Sequence, residues 1–215
     1  MGMSPLDPHG VFHAEALSGI PNLLHGFGTR NARDWPALPT ATVRQVHSSR
    51  VVLAAGPGVQ GQADALITGQ AGFALAIRTA DCVPILIADP AHHAVAAVHA
   101  GWRGTADEIL TKALAAMANR FGTTPEKVFV AIGPAIGPCC FEVGPEVAVQ
   151  FGHPAENKHV DLVEANLRQA LSGGVPVSRI TISGRCTRCE PTLFHSYRRD
   201  KEQSGRMLTA IGWIE

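Results

Sequence analysis

The sequence predicts a single α+β domain, and three observations support this fold class. The 215 residues contain no linker, internal repeat or low-complexity run, so residues 1–215 are expected to form one domain. Short apolar runs with strand character recur along the chain, and the clearest are residues 83–88 and 94–98. A few segments have helical periodicity instead, the longest of them near residues 105–120. With 46% hydrophobic residues the chain can bury a sizeable core.

Composition narrows the possible functions. A formal net charge of zero and 17% charged residues argue against a nucleic-acid binder and against a polybasic membrane anchor, so the partner should be small or neutral. The first eight residues lack a signal-peptide core, and no apolar run approaches the roughly 18 residues of a membrane span. We therefore expect a cytoplasmic protein. Its five cysteines, with Cys139 and Cys140 adjacent, indicate reduced thiols or metal ligands rather than a secreted disulfide framework.

The first third of the chain has weaker signals. Residues 11–27 contain broken strand patterns, and residues 31–39 are predicted to form a surface loop. Residues 42–53 contain two short strand-like runs, in which strict alternation places Gln45 and His47 on the face opposite Arg44. His47 is then either a hydrogen-bonded structural histidine or a ligand. Two further strands are predicted over residues 63–68 and 72–79.

The most informative element is a predicted β-hairpin. Asp89-Pro90-Ala91-His92 has turn chemistry between the strands at 83–88 and 94–98. If Asp89 pairs with His92, the numbers of antiparallel partners sum to 181, and Cys82 lies opposite His99. Directly opposed residues share a face with Cβ atoms roughly 4.5–5.5 Å apart, close enough to hold one metal ion or to act as a dyad. A longer loop or a bulge would shift this register.

A helix is predicted over residues 105–120, with Thr105 as its N-cap, after a tight turn at residues 101–104. The start of this helix lies close to His99 in sequence. Its free N–H groups and Arg103 form either an anion site or only a capped helix with a surface arginine. The predicted apolar face comprises Ile109, Leu110, Ala113, Leu114 and Met117.

The last part of the chain supplies further elements and two ambiguous motifs. The predicted strands are 127–132, 177–183 and 207–214, and the predicted helices are 147–150 and 160–171. The glycine- and proline-rich segment 133–147 should form a rigid loop of the kind that lines a pocket. Its vicinal cysteines are buried thiols or a redox pair, and the single Cys186-x-x-Cys189 is structural, redox-active or zinc-binding. Arginines at 185, 188, 198 and 199 bind phosphate or form a solvated face.

Five segments together closely resemble the laccase-domain family: RQVH (44–47), ADCVP (80–84), HAGWRG (99–104), GPAIGPCCFEV (133–143) and FHSYRR (194–199). Members of this family were once labelled multicopper polyphenol oxidases and are now regarded as purine nucleoside phosphorylases with adenosine deaminase activity. The resemblance implies a layered domain with a largely antiparallel mixed β core flanked by helices, distantly similar to cysteine-hydrolase toxins. It also implies a catalytic zinc ion held by His47, Cys82 and His99, with copper possible but not favoured.

Three ligands with an open fourth position suit a zinc ion that acts as a Lewis acid. The expected substrates are purine nucleosides (inosine, adenosine, guanosine, methylthioadenosine) and phosphate, and the expected assembly is a monomer or homodimer. For phosphorolysis we nominate Arg44 and Arg103 to hold phosphate. Arg198 and Arg199 are a second choice, and His195 joins the substrate-binding set. Asp81, beside Cys82, is the candidate to move protons in deamination.

The residues argue against a copper oxidase. Blue-copper and trinuclear centres need many histidines, usually in His-x-His pairs, and the ten histidines here include no such pair.

Two other functions remain open. A zinc or thiol amidohydrolase that edits cell-wall peptide precursors, a role also attached to some family members, is the main alternative. A non-catalytic metal module would need a fourth ligand, for which Cys139 or Cys140 is nearest.

Overall fold

Two six-stranded mixed sheets form the centre of the protein in a computed structural model that describes residues 2–156 and 158–215. The strands are β1 (Val11–Phe12), β2 (Leu23–Gly28), β3 (Thr40–Arg44), β4 (Val51–Leu53), β5 (Gly58–Gln62), β6 (Ala65–Thr68), β7 (Ala74–Thr79), β8 (Val83–Asp89), β9 (Ala94–Ala100), β10 (Phe129–Ile132), β11 (Ile180–Ile182) and β12 (Met207–Trp213). The helices are α1 (Glu15–Ser18), α2 (Trp102–Ala106), α3 (Ile109–Phe121), α4 (Pro145–Ala148), α5 (Leu162–Ser172) and α6 (Tyr197–Asp200).

The first sheet has the order β1-β2-β12-β7-β3-β5 and the second has the order β11-β10-β8-β9-β6-β4. Antiparallel pairs predominate in both sheets, and the parallel pairs lie toward their edges. The predicted α+β class, with a largely antiparallel mixed core flanked by helices, is confirmed. None of the helices within the described residues is both long enough and apolar enough to cross a membrane.

Strand β8 shows how the layers form. Val83, Ile85 and Ile87 point into a core shared with α3 and α5, whereas Leu86 and Ala88 point into a core shared with the first sheet. Every residue of β8 is buried, as its continuous apolar sequence predicts for a strand covered on both faces. The order of layers is therefore sheet, sheet, helices.

The hairpin is confirmed, but its predicted register is wrong. Asp89 pairs with Ala94 rather than with His92, so partner numbers sum to 183, and Pro84 lies opposite His99. The reason is the loop, which contains four residues, 90–93, instead of two. Asp89 stabilises this longer loop because its carboxylate accepts hydrogen bonds from the backbone N–H groups of Ala91 (3.1 Å) and His92 (3.4 Å).

The predicted helix at 105–120 is two helices. Residues 101–104 do not form a tight turn, because α2 begins at Trp102, and α3 begins only at Ile109 after Glu108 in the left-handed region (φ 57°). Thr105 is not an N-cap, since it lies inside α2 and its hydroxyl accepts a hydrogen bond from Asn166 of α5. The predicted apolar face of α3 is fully buried and confirmed.

Smaller differences concern element ends. The strands predicted at 127–132 and 177–183 are shorter, because single 3₁₀ turns at Pro125–Lys127 and Val177–Arg179 precede them. The short helix predicted at 147–150 begins earlier, at Pro145, where proline suits the first helical turn. Helix α5 begins after Asp161, whose carboxylate accepts a hydrogen bond from the N–H of Glu164.

Candidate functional site

Three potential metal ligands converge beside the start of β8 and the end of β9. His47 lies in the loop after β3, Cys82 directly precedes β8, and His99 lies near the end of β9. One ligand atom from each residue lies within 4.8 Å of the other two. The imidazole rings of His47 and His99 have centroids 5.0 Å apart and an interplanar angle of 76°. The predicted proximity of these three side chains is confirmed.

The error in the hairpin register does not separate Cys82 from His99, because it amounts to two residues. In an antiparallel pair a shift of two keeps the same side chains on the same face. Continuing the observed register places Gly101, not His99, opposite Cys82. A Cβ atom on Gly101 would lie 3.1 Å from Cδ2 of His47 and 3.2 Å from Sγ of Cys82. Glycine at this position leaves room for the side chains of His47 and Cys82.

The alternation of residues 42–53 predicts that His47 lies on a strand, and this prediction is wrong. Strand β3 ends at Arg44, and His47 adopts a left-handed backbone conformation with φ 57°. The carboxylate of Asp64 causes this departure, because it accepts hydrogen bonds from the backbone N–H groups of Val46 (3.2 Å), His47 (3.0 Å) and Ser48 (2.6 Å). The loop therefore wraps around a buried anion instead of continuing the sheet.

Asp64 also orients His99. Its Oδ1 lies 2.8 Å from Nδ1 of His99, which leaves Nε2 of that imidazole as the ligand atom. This role of Asp64 is not among the predictions made from the sequence. The available signal was a carboxylate inside the short apolar segment 63–68, where an unpaired charge would be costly. Asp64 is completely buried and thus organises the positions of two of the three potential ligands.

Cys82, His99 and Asp64 shift one another's pKa values. Burial raises the pKa of the Cys82 thiol, but hydrogen bonds with His47 and His99 outweigh this effect and lower it to about 6. Burial lowers the pKa of His99, whereas its hydrogen bonds with Asp64 and Cys82 raise it to about 9. Burial raises the pKa of Asp64, but bonds from His99 and Ser48 bring it down to about 2. Without a metal, these shifts favour the thiolate form of Cys82 beside the protonated imidazole of His99.

This donor set fits a zinc ion. Two imidazole nitrogens and one thiolate are typical ligands of a three-ligand zinc site, and the fourth position is then left for water or substrate. The carboxylate behind His99 is the outer partner that ligating histidines commonly have. A multicopper centre would require more histidines, and within the described part of the chain only His47 and His99 join this cluster.

The cluster opens into a cavity of about 580 Å³. Four arginines line it: Arg44, Arg78, Arg198 and Arg206. The aromatic rings of Phe141 and Tyr197 also line it, and Asp81 is its one acidic lining residue among those described. A cavity with several guanidinium groups and two rings suits a ligand that combines an anion with a planar heterocycle.

The nominated arginines separate into two groups. Arg44 and Arg198 line the cavity. Arg103 does not line it, since its guanidinium carbon lies 4.9 Å from the centroid of the Trp102 ring at the surface. Arg199 is held elsewhere by Asp200 and by the carbonyl oxygens of Thr187 and Phe194. His195 lies with Arg199 in a separate depression.

Asp81 lies at the cavity wall, but its carboxylate is already occupied. Oδ1 accepts a hydrogen bond from the hydroxyl of Thr187 (2.6 Å). Oδ2 accepts hydrogen bonds from the hydroxyl of Ser196 (3.1 Å) and from the backbone N–H of Arg198 (2.6 Å). These bonds fasten the segment around α6 to the residues before β8, and they hold Arg198 at the wall of the cavity that the His/Cys/His cluster also lines.

Two of the four cavity arginines, Arg78 and Arg206, carry no signal in the sequence, and no role is predicted from it for the two aromatic rings. Arg78 lies on β7, where the side-chain amide of Gln45 bonds the backbone N–H and carbonyl of Arg78, both at 2.8 Å. Arg206 directly precedes β12. No local pattern marks either residue, because only the pairing of β3 with β7 and of β7 with β12 brings them to one opening.

Comparison with known proteins identifies similar sequences and structures. The family described as multi-copper polyphenol oxidoreductase laccase matches residues 29–214. A Geobacillus stearothermophilus protein named purine nucleoside phosphorylase YlmD is 43% identical over 169 residues, which are 73% of this chain and 60% of that protein. A Deinococcus radiodurans protein named purine nucleoside phosphorylase is 41% identical over 80% of this chain and 69% of its own length.

Two further comparisons extend this picture. A protein from an unknown prokaryotic organism, named adenosine deaminase RL5, is 40% identical over 78% of this chain and 72% of its own length. The crystal structure of YlmD from Geobacillus stearothermophilus aligns with a TM-score of 0.88 and 32% identity, and covers 98% of each chain. In the sequence alignment, however, the chain spans only about 60% of the length of that Geobacillus relative.

Proposed function

This chain belongs to the family described as multi-copper polyphenol oxidoreductase laccase, and we propose that it is a zinc-dependent purine nucleoside phosphorylase that also deaminates adenosine. The proposed substrates are inosine, adenosine, guanosine or methylthioadenosine together with phosphate. The observation that carries the proposal is one cavity in which a His/Cys/His cluster, four arginines and two aromatic rings lie together. The names of three relatives support the same substrate class.

His47, Cys82 and His99 would hold the metal, and zinc would supply Lewis acidity at the base of the cavity. Asp64 keeps His99 in the tautomer that presents Nε2, because it accepts the proton of Nδ1. The same carboxylate holds the backbone of the His47 loop. The chain thus supplies three ligands whose directions are set before a substrate arrives.

Arginines of the cavity bind phosphate in this proposal. Arg198 is the best placed of them, since its backbone is fixed by Asp81 and its NH1 donates to the carbonyl oxygen of Glu142 (2.7 Å). Arg44 also lines the cavity, and its side chain is exposed. Arg103, nominated from the sequence, lies outside this set, so we assign the phosphate to Arg44 and Arg198, with Arg78 and Arg206 contributing charge.

Phosphorolysis then requires positioning more than covalent chemistry by the protein. A phosphate oxygen forms a bond to C1′ of the nucleoside as the C1′–N9 bond breaks, and the electron pair of that bond leaves with the purine. Phe141 and Tyr197 line the cavity, and their rings are the aromatic groups against which the purine would pack. The hydrogen bonds at the Asp81 carboxylate favour a positioning role for this residue over the proton transfer predicted from the sequence.

The proposal is tested by incubating zinc-loaded protein with inosine and phosphate and measuring hypoxanthine. We expect Cys82→Ser to abolish phosphorolysis and to lose the zinc ion of this site. Arg198→Ala should raise the KM for phosphate at least about tenfold, because a charged hydrogen bond of about 1.5–3 kcal/mol is lost. The matched variant is Arg168→Ala, on the exposed face of α5, which should keep the KM of the unaltered protein. Full activity in Cys82→Ser protein that has lost the zinc ion of this site would refute the zinc mechanism.

A thiol amidohydrolase is the second candidate, and one observation favours it. Cys82, His99 and Asp64 form a thiol, imidazole and carboxylate chain of the kind used for nucleophilic catalysis, with the pKa of Cys82 lowered to about 6 by its histidine partners against the effect of burial. Chelation separates the candidates. A phosphorylase that needs zinc loses activity on inosine, whereas a thiol hydrolase keeps its activity on a muramyl-peptide precursor after chelation.

A further inference from the structure

Four of the five cysteines form a second cluster outside the cavity. The four-cysteine cluster consists of Cys139, Cys140, Cys186 and Cys189. Its members come from two distant segments, the loop after β10 and the loop after β11, yet all four sulfur atoms lie within 4.8 Å of one another. All four are free thiols, and none of them contributes to the His/Cys/His cluster.

The separations between the sulfur atoms identify what the cluster can bind. Sγ of Cys139 lies 3.7 Å from Sγ of Cys140 and 3.8 Å from Sγ of Cys189, and the distance from Cys140 to Cys189 is 3.4 Å. A tetrahedral zinc ion with Zn–S bonds of about 2.3 Å separates its sulfur ligands by about 3.8 Å. A disulfide would need sulfur atoms about 2.0 Å apart. We propose that the four-cysteine cluster binds one Zn²⁺ in a closed tetrathiolate site.

Two hydrogen-bond donors lie close to sulfur atoms of this cluster and could stabilise their negative charge. Four thiolates around one Zn²⁺ carry a net charge of −2, which has to be compensated by nearby donors or cations. The backbone N–H of Gly137 points at Sγ of Cys186 (3.3 Å), and NH1 of Arg188 lies 3.5 Å from Sγ of Cys140. Arg188 is exposed and makes its contact from the solvent side.

The local backbone explains how two adjacent cysteines can serve one ion. The N–H groups of Cys140 and Phe141 both donate to the carbonyl oxygen of Gly137 at 3.0 Å, which forms a turn. In that turn both vicinal sulfur atoms point toward Cys189. A Cβ atom on Gly137 would lie 3.3 Å from Sγ of Cys139, so the glycine leaves space for the cluster. Cys186-x-x-Cys189 supplies the other half of the site.

A closed site with four protein ligands has a structural role, since no position remains for substrate. The ion would join a loop that lines the cavity to a loop that supports one of its lining residues, Asp81. One loop carries Phe141, which lines the cavity next to Cys140. The other carries Thr187, whose N–H donates to the carbonyl of Ala135 (3.0 Å) and whose hydroxyl donates to Asp81. Bound zinc would therefore stabilise the loop whose Thr187 holds the Asp81 carboxylate, without taking part in the reaction.

The fifth cysteine allows a clean test of the proposal. In zinc-reconstituted, reduced protein, Cys82→Ser removes a ligand of the first cluster, and we expect this variant to retain one Zn²⁺ per chain by mass spectrometry of the metal. Adding Cys186→Ser and Cys189→Ser to it should remove that ion. The cobalt-substituted Cys82→Ser protein should show the strong visible absorption of a tetrahedral thiolate site, and chelation should lower its thermal midpoint.

A second measurement covers the case in which the triple variant does not fold. X-ray absorption at the zinc edge of the Cys82→Ser protein should show four sulfur neighbours at about 2.3 Å. Nitrogen or oxygen neighbours in that shell would overturn the proposal. So would a Cys82→Ser protein that folds but binds no zinc, or a disulfide within the four-cysteine cluster of the reduced and reconstituted protein. None of these readouts uses enzymatic activity, so the result is independent of the proposed phosphorylase activity.

Discussion

At the scale of single residues, Asp64 has the widest influence on the candidate site. Asp64 does not line the cavity. Its two carboxylate oxygens accept hydrogen bonds from three backbone N–H groups of the His47 loop, from the hydroxyl of Ser48 and from the ring of His99. A change at this position should therefore alter the metal ligands without removing any of them.

We expect Asp64→Asn to weaken zinc binding by about 10- to 100-fold, because loss of an outer partner of a ligating histidine has effects of that size. The measurement is competition with a chromophoric chelator, using protein that also carries Cys186→Ser and Cys189→Ser. Asp89→Asn is the matched control, since Asp89 is also completely buried and also organises a loop and a histidine. Unchanged zinc affinity in Asp64→Asn, or an equal loss in both variants, would contradict the role of Asp64.

The three candidate ligands could be identified from the sequence, but the conformation that presents one of them could not. His47, Cys82 and His99 lie in segments with a strong family resemblance. Alternation placed His47 on a strand because the hydrogen bonds that bend this loop come from Asp64, which is 17 residues away in the sequence. The predicted roles of Arg103 and Arg199 illustrate the same limit, since stacking on Trp102 and pairing with Asp200 depend on side-chain geometry.

At the scale of elements, the junction of α2 and α3 carries a residue in a costly conformation. Glu108 has a left-handed backbone (φ 57°) between the two helices, where a residue with a Cβ atom is strained by about 1–2 kcal/mol. Glycine would relieve this strain, but it also makes the unfolded chain more flexible, which costs part of the gain. We therefore expect Glu108→Gly to raise the free energy of unfolding by about 0.5–1 kcal/mol.

The check is urea unfolding followed by circular dichroism. Ala115→Gly, at an exposed helical position of α3, is the matched control and should lower the free energy of unfolding by about 0.5–1 kcal/mol. Opposite signs for the two glycine substitutions would support the strain at Glu108. A loss of stability in both would show that the left-handed junction costs nothing.

The hairpin of β8 and β9 shows which parts of an element are visible in sequence. Both strands were predicted nearly to their ends, because each is a continuous apolar run. The length of the loop could not be predicted, because Asp-Pro suits either a two-residue or a four-residue connection. Which of the two forms depends on the hydrogen bonds that Asp89 accepts. The error shifted the register by two residues, which preserved the face shared by Cys82 and His99.

At the scale of the whole molecule, a buried histidine should make stability depend on pH. His25 of β2 is 4% exposed, and its Nε2 accepts a hydrogen bond from the N–H of Ala14. Burial, followed by the charge of His13, lowers its pKa from 6.5 to about 4. Between these values the unfolded chain binds the proton that the folded protein excludes, so this contribution is complete above pH 6.5 and is lost as the pH falls toward 4.

We expect the free energy of unfolding to fall by up to about 1.4 kcal/mol per pH unit in this range on account of His25, about 3 kcal/mol in all. Urea unfolding between pH 4 and pH 7 measures the slope, and His25→Gln should make it shallower. His9→Gln, which replaces an exposed histidine, is the control. Equal slopes in the His25 variant and the unaltered protein would contradict this assignment.

The architecture could be predicted in class but not in connectivity. Apolar runs and the family resemblance predict a mixed, largely antiparallel core with helices, which the two sheets confirm. Which strands are neighbours depends on contacts between distant segments, and so does the cavity. Arg78 and Arg206 reach one opening only because β7 and β12 pair. The four-cysteine cluster likewise joins segments that no local pattern connects.

The position of β12 bears on how the protein can be made. This strand, Met207–Trp213, lies inside the first sheet between β2 and β7, and all but one of its residues are buried. While a ribosome is still translating this region, β2 and β7 therefore expose two strand edges that have no partner. The first sheet closes only when residues 207–213 have emerged. Until then the nascent chain presents unpaired backbone groups of the kind that chaperones protect from aggregation.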